Sequence, residues 1–184
     1  MFMSRRELDD YYSDMVETGI VWEGKPYDLV HPFQMPSFNG ELGIEEHQGF
    51  RSIYVIREER LLIDKIQIVF SKDEAYPEIL GKKPARGYDI LEGFTMLWGT
   101  GRGMVYENLD FHASITGSLL VGADADEQAL MTPDFGASNV YFCYQKLFLL
   151  EFTNGVLTKE KDVSGMEKDE FQEISLLARQ VTKT

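Results

Sequence analysis

The 184-residue chain has one cysteine, Cys143, so no disulfide can form within it, which suits a reducing compartment. Its three histidines, His31, His47 and His112, are too scattered for H-E-x-x-H or a related metal spacing, and Glu45-Glu46-His47 reads as a solvated loop. Long apolar runs are missing as well. None approaches the ~18 uncharged residues of a membrane-spanning helix, the best stretch being broken by Asp64 and Lys65. Residues Met1 to Asp10 meet acid straight after Arg5-Arg6, without the apolar run of an export signal. A cytoplasmic protein that does not enter membranes is the expectation. Basic residues are the remaining scarcity: 18 Lys and Arg against 31 Asp and Glu leave a net charge of -13. Such a surface repels nucleic acid and anionic lipid, whose binding draws on Lys and Arg replacing phosphate counterions, and it favours a basic protein as partner.

What is present describes a packed globule. Hydrophobic residues make up 43% of the chain and aromatics 12%, and the length suits a single domain over residues 1–184. Leu8, Tyr11, Tyr12, Met15 and Val16 recur at helical spacing, predicting a helix over Ser4 to Glu17. From Ile20 to Phe38, prolines and glycines cut the chain into one or two short edge strands with loops. Ile53 to Phe70 predicts a hairpin around Arg57-Glu58-Glu59-Arg60. Because Glu is poor at positive φ, a loop of about four residues on a type I turn is expected there rather than a two-residue primed turn. On its return arm Leu62, Ile66, Ile68 and Phe70 fall on one face, Lys65 and Gln67 on the other.

Ser71 to Asp89, with Lys82, Lys83 and Arg86 as the local basic cluster, reads as a polar inserted loop. Ile90 to Trp98, Leu109 to Gly122 and Asn139 to Thr153 supply further strands, the last closing at the primed-turn pair Asn154-Gly155. After Asp162 the period lengthens to 3.6, and Phe171, Ile174, Leu177, Ala178 and Val181 form the stripe of a terminal helix. The fold class expected is α+β, mainly antiparallel, a curved sheet or barrel-like sandwich with helices at both chain ends.

Chemistry-bearing patterns are sparse. Gly99-Thr100-Gly101-Arg102-Gly103 satisfies neither phosphate-loop spacing and reads as a flexible connection between strands. Asp124-x-Asp126 lacks the glycine and terminal glutamate of a calcium loop. Cys143 lies in apolar, aromatic text and reads as a buried packing thiol. Asp110, His112 and Ser114 alternate on a predicted strand and share one face, the one triad-like composition in the chain, and also what the polar face of a half-buried strand contains. Phe94, Trp98, Tyr141 and Phe148 would line the mouth of a barrel, or simply fill a core. No cofactor motif and no metal site is read from the sequence.

Gly49-Phe50-Arg51-Ser52-Ile53-Tyr54-Val55-Ile56 followed by Leu61-Leu62-Ile63-Asp64-Lys65-Ile66 resembles the opening strand pair of an uncharacterised family of β-rich bacterial proteins. Ile115 to Gly122 and Tyr144 to Val156 resemble its closing strands, while the Cys-Trp pair of its first strand is missing here. The resemblance implies a fold and carries no activity. Three functional classes follow from the sequence: a non-catalytic binder of a basic protein, as an inhibitor or immunity protein; a carrier of a small apolar ligand; and a hydrolase built on Asp110, His112 and Ser114.

Overall fold

The computed structural model describes residues 19–30, 35–44, 49–70, 76–90, 101–125 and 143–184. Strands dominate them: β1 (Gly19–Trp22), β2 (Lys25–Leu29), β3 (Gly49–Arg57), β4 (Arg60–Phe70), β5 (Arg86–Ile90), β6 (Gly101–Tyr106), β7 (Phe111–His112), β8 (Ile115–Ala125), β9 (Tyr144–Thr153), β10 (Val156–Asp162) and β11 (Thr182–Lys183). Two helices accompany them, α1 (Asn39–Leu42) and α2 (Lys168–Leu177). The β-rich, mostly antiparallel class read from the sequence is therefore present. The helix expected over Ser4 to Glu17 lies outside the described residues, as do Leu91 to Trp98 of a predicted strand. Among the described residues no helix is long and apolar enough to cross a membrane.

The chain divides into two compact units, and neither is a continuous stretch of sequence. In the unit holding Phe38–Ile53 and Ile63–Phe111, β6 pairs antiparallel with β4 on one side, Ile66 opposite Tyr106, and with β5 on the other, Tyr88 opposite Gly103. Gly101 to Gly103 thus belong to a strand and not to the flexible connection the glycines suggested; pairing with β5, and from Arg102 on with β4 as well, holds them extended. The supposed polar loop Ser71 to Asp89 is also corrected. Ile79 is 1% exposed and bridges to Lys82 across Leu80-Gly81, and Arg86 to Asp89 begin β5. In its basic cluster, the Lys82 ammonium donates to the Asn108 carbonyl and Lys83 pairs with Glu78 at 4.0 Å. Tyr106 is fully buried, its hydroxyl donates to the Pro77 carbonyl at 2.8 Å, and burial pushes the phenol up to about 12.

Burial along β4 changes phase. Leu61 and Ile63 are buried, and then Ile66, Ile68 and Phe70, so the inward parity switches across Asp64-Lys65. That shift places Leu62 at the half-exposed positions and buries Gln67, against the alternation expected from the sequence. The carbonyl of Asp64 accepts the Leu109 N–H at 2.9 Å, and Lys65 pairs with Glu107 at 3.0 Å.

In the unit holding Thr18–Ser37, Tyr54–Leu62 and His112–Thr184, the strands run in the order β10, β9, β8, β2, β1. β9 is buried on both faces: Leu147 and Leu149 on one, Leu150 and Phe152 on the other. α2 lays Phe171 and Ala178 into a cluster with Val30, Leu120, Leu147, Leu149 and Val163. Leu177, placed in that stripe by the sequence, is 53% exposed: at about 100° per residue Ile174, Ser175 and Ala178 fall on the side of Phe171, and Leu177 lies well off it. Beyond the helix the chain returns to β8, and Gly117, at φ 137°, accommodates it: a side chain there would stand 2.8 Å from the Gln180 carbonyl oxygen.

Two-residue turns recur among the described residues. Positive φ occurs in pairs at Glu23-Gly24, Glu58-Glu59, Leu80-Gly81 and Asn154-Gly155, the signature of type I′ turns. Asn154-Gly155 matches its sequence reading. Glu58-Glu59 does not: φ is 49° and 62°, and the four-residue loop is replaced by a tight turn without glycine. The reason lies in its neighbours. The Glu59 carbonyl accepts the Leu157 N–H at 2.6 Å and the Leu61 N–H donates to Gly155 at 2.8 Å, so a longer loop would lose its register with the second hairpin.

Glu58-Glu59→Asn-Gly should stabilise the protein by about 1 kcal/mol, since a left-handed non-glycine residue costs about that much; chemical denaturation checks it. Phe171→Ala should cost about 3 kcal/mol in the same assay, and an unchanged midpoint would mean that the α2 cluster contributes nothing to the fold.

Candidate binding groove

β10 ends at Asp162, and the five residues that follow turn the chain into α2. Asp162 begins that turn because its carboxylate accepts the Ser164 N–H at 2.9 Å, the local bond that makes Asp a good turn initiator. Ser164 fastens the loop to β9: its Oγ accepts the Leu147 N–H at 3.0 Å, and its one hydroxyl proton is shared between the Leu147 carbonyl at 3.4 Å and the Asp162 carboxylate. At the helix start the Glu167 N–H donates to Glu170 Oε2 at 3.3 Å, and Asp169 and Glu170 place negative charge at the positive end of the helix dipole.

Between these elements lies a groove of about 380 Å³. Its floor holds Val163, Met166 and Ile174, the last two half-buried and packed against the α2 cluster. Around it stand Asp162, Glu170 and Glu173 with a single cation, Lys161. On the outer side of the same helix Leu176 and Leu177 are 60% and 53% exposed. Hydrogen bonds from the Ser164 hydroxyl and then from its backbone hold the Asp162 carboxyl below the usual carboxylate range, so it keeps its charge well into acid. One wall is unfinished. After Val156 opposite Arg60, Lys159 to Asp162 pair with β9 alone among the described strands.

The residues singled out from the sequence fall elsewhere. Asp110 is exposed with φ at 52°, and the strand that was to carry all three triad-like residues covers only Phe111–His112. Asp110 belongs to one unit, His112 and Ser114 to the other. His112 is exposed and its Nε2 lies over Gly155, while Ser114 is half-buried and its carbonyl accepts the Thr184 N–H at 3.0 Å. Phe148 stacks edge-on against Trp22 and Tyr27, with ring centres 5.2 and 5.8 Å away. Phe94, Trp98 and Tyr141 lie outside the described residues, as do His31 and His47. Cys143 is buried. Among the described residues no three His, Cys, Asp or Glu side chains gather as a metal site would require.

Sequence reasoning passed over the groove. Two signals were available: Asp162-x-Ser164 as a turn initiator, and the recurrence of acid at Glu170 and Glu173 beside Ile174, which gives α2 an acidic border along its apolar stripe. Removing the Ser164 hydroxyl and its hydrogen bond, as in Ser164→Ala, should raise the Asp162 pKa toward the ordinary carboxylate value, read by carboxyl-carbon NMR titration. The sign for stability follows. A depressed folded pKa contributes stability above the unfolded value that is lost as pH falls through the folded one, so Ser164→Ala should flatten that acid limb.

No protein family, curated protein or solved structure matches the chain.

Proposed function

We propose that the protein is a non-catalytic binding protein whose target is basic, acting in the manner of an inhibitor or immunity protein. The observation that carries this reading is the groove along α2, where an apolar floor of Val163, Met166 and Ile174 is bordered by Asp162, Glu170 and Glu173. An apolar centre supplies affinity and a charged border supplies partner choice, which is how interfaces divide the two tasks. The net charge of -13 adds long-range attraction for a cation-rich surface. A cytoplasmic location, a curved sheet as the finer architecture and kinship with β-rich bacterial proteins belong to the same proposal.

The other two classes have less behind them. A carrier needs an apolar mouth lined by Phe94, Trp98, Tyr141 and Phe148, and Phe148 is already occupied by Trp22 and Tyr27. A hydrolase needs Asp110, His112 and Ser114 to converge, and the left-handed turn at Asp110 removes it from the alternation that would align them.

Against purified small proteins of graded charge, binding should be confined to basic ones, and association should slow as salt shortens the Debye length to about 8 Å near 0.15 M. The paired change Glu170→Lys and Glu173→Lys should weaken binding by about tenfold or more. Affinity that ignores partner charge, or hydrolytic turnover abolished by His112→Ala, would overturn the reading.

A further inference from the structure

We infer that β10 is a strand-addition site: an extended segment of the basic partner pairs with Lys159 to Asp162, placing alternate basic side chains beside Glu160 and Asp162 and alternate apolar ones over Met166 and Ile174. The inference rests on the binding reading above and supplies its mode of contact.

Hydrogen-bond phase identifies the open positions. The Val163 N–H donates to the Leu147 carbonyl at 2.9 Å, so in the antiparallel register that sets Lys161 opposite Leu149 and Lys159 opposite Glu151, these odd-numbered residues turn their backbone groups toward β9. Glu160 and Asp162 then turn theirs away, toward the side on which no described strand follows. An edge that presents both N–H and C=O is a template for another chain.

Side chains define what that chain must carry. Residues opposite one another in a sheet share a face, so Lys159 and Lys161 stand on the face of Leu149, which α2 covers, and Glu160 on the other, as does Asp162 opposite Phe148 at the strand's end, where the groove begins. An added strand continues both faces. Beside Glu160 and Asp162 it meets two exposed carboxylates and suits Lys or Arg. Toward α2, past Lys159, which Glu151 already engages at 3.1 Å, it meets the groove, where Lys161 stands with Glu170 and Glu173 around an apolar floor, so Val, Ile or Thr over Met166 and Ile174 suits it better than a further acid or base.

A second copy of this chain is the wrong occupant. Outward-facing residues must meet outward-facing residues, so two copies of β10 would set Glu160 opposite Glu160 or Asp162, and like charges directly opposed across strands are destabilising. The same arithmetic favours a cationic strand.

The test uses the full chain and a short synthetic peptide alternating Lys with Val or Thr. Binding should slow exchange of the Glu160 and Asp162 amides, followed by NMR, and a peptide of the same composition with its lysines in one block should bind about tenfold more weakly or worse. N-methylation at the lysine positions, whose amides face Glu160 and Asp162, should cost about tenfold or more, whereas N-methylation at the Val and Thr positions should cost little. Equal binding by both methylated peptides, or no added protection at Glu160 and Asp162, would overturn strand addition. Should the peptide not bind while basic proteins still do so in a salt-dependent way, strand addition fails and the binding reading survives; should neither bind, both fail.

Discussion

At Gly155 a methyl group would stand 2.5 Å from the Ala113 carbonyl oxygen and 2.7 Å from His112 Nε2, while the backbone takes a φ of 74°. No other residue type meets both conditions. Through this one position the β9–β10 hairpin is bound to two other segments: its N–H donates to the Ile115 carbonyl at 2.7 Å, and its carbonyl accepts from Leu61 at 2.8 Å. Beside it the Asn154 N–H reaches Thr116 Oγ1 at 3.0 Å. The direction in which β10 leaves the turn, and hence where Asp162 delivers the chain to α2, is set here. The groove is a distant result of a turn too crowded for a side chain.

Where turn chemistry is local, the sequence could be read. Asn154-Gly155 carries its own preference for positive φ and appeared as a primed turn in both readings. Glu23-Gly24 and Leu80-Gly81 have the same second residue; the first falls within the short strands expected from Ile20 to Phe38, without being named as a turn, and the second lay in what read as a polar loop. Glu58-Glu59 has no local signal at all; its geometry is imposed by the hydrogen bonds to Leu157 and Gly155, nearly a hundred residues away. Leu62 failed for a related reason, because the covered face of β4 changes along the strand and both faces are covered at Ile66-Gln67-Ile68, which composition cannot locate. Phe171 could be placed because a large ring at helical spacing has few other destinations, whereas Leu177 falls beside the stripe that Phe171, Ile174 and Ala178 share.

The groove was legible only in fragments. Val163, Met166 and Ile174 are ordinary apolar residues in sequence, and their grouping depends on Ser164 fastening the loop to Leu147. Acidity was visible from composition, but its arrangement was not: on β10 the charges alternate by sign, so that one face carries Lys159 and Lys161 and the other Glu160 and Asp162. An exposed edge written this way discourages indiscriminate pairing, as charged edges do in β proteins generally.

β2 meets β8 with Asp28 opposite Gly122 and Leu29 opposite Val121, a closure of more than ninety residues of chain. Such a pairing is slow to find, because the entropy of bringing its ends together is spent before any contact is gained. The primed hairpins have no such delay, each closing locally on the order of 1–10 μs. The tight turns therefore give this fold an order of assembly: preformed strand pairs search for one another, and distant pairings such as β2 with β8 and β4 with β10 come after them.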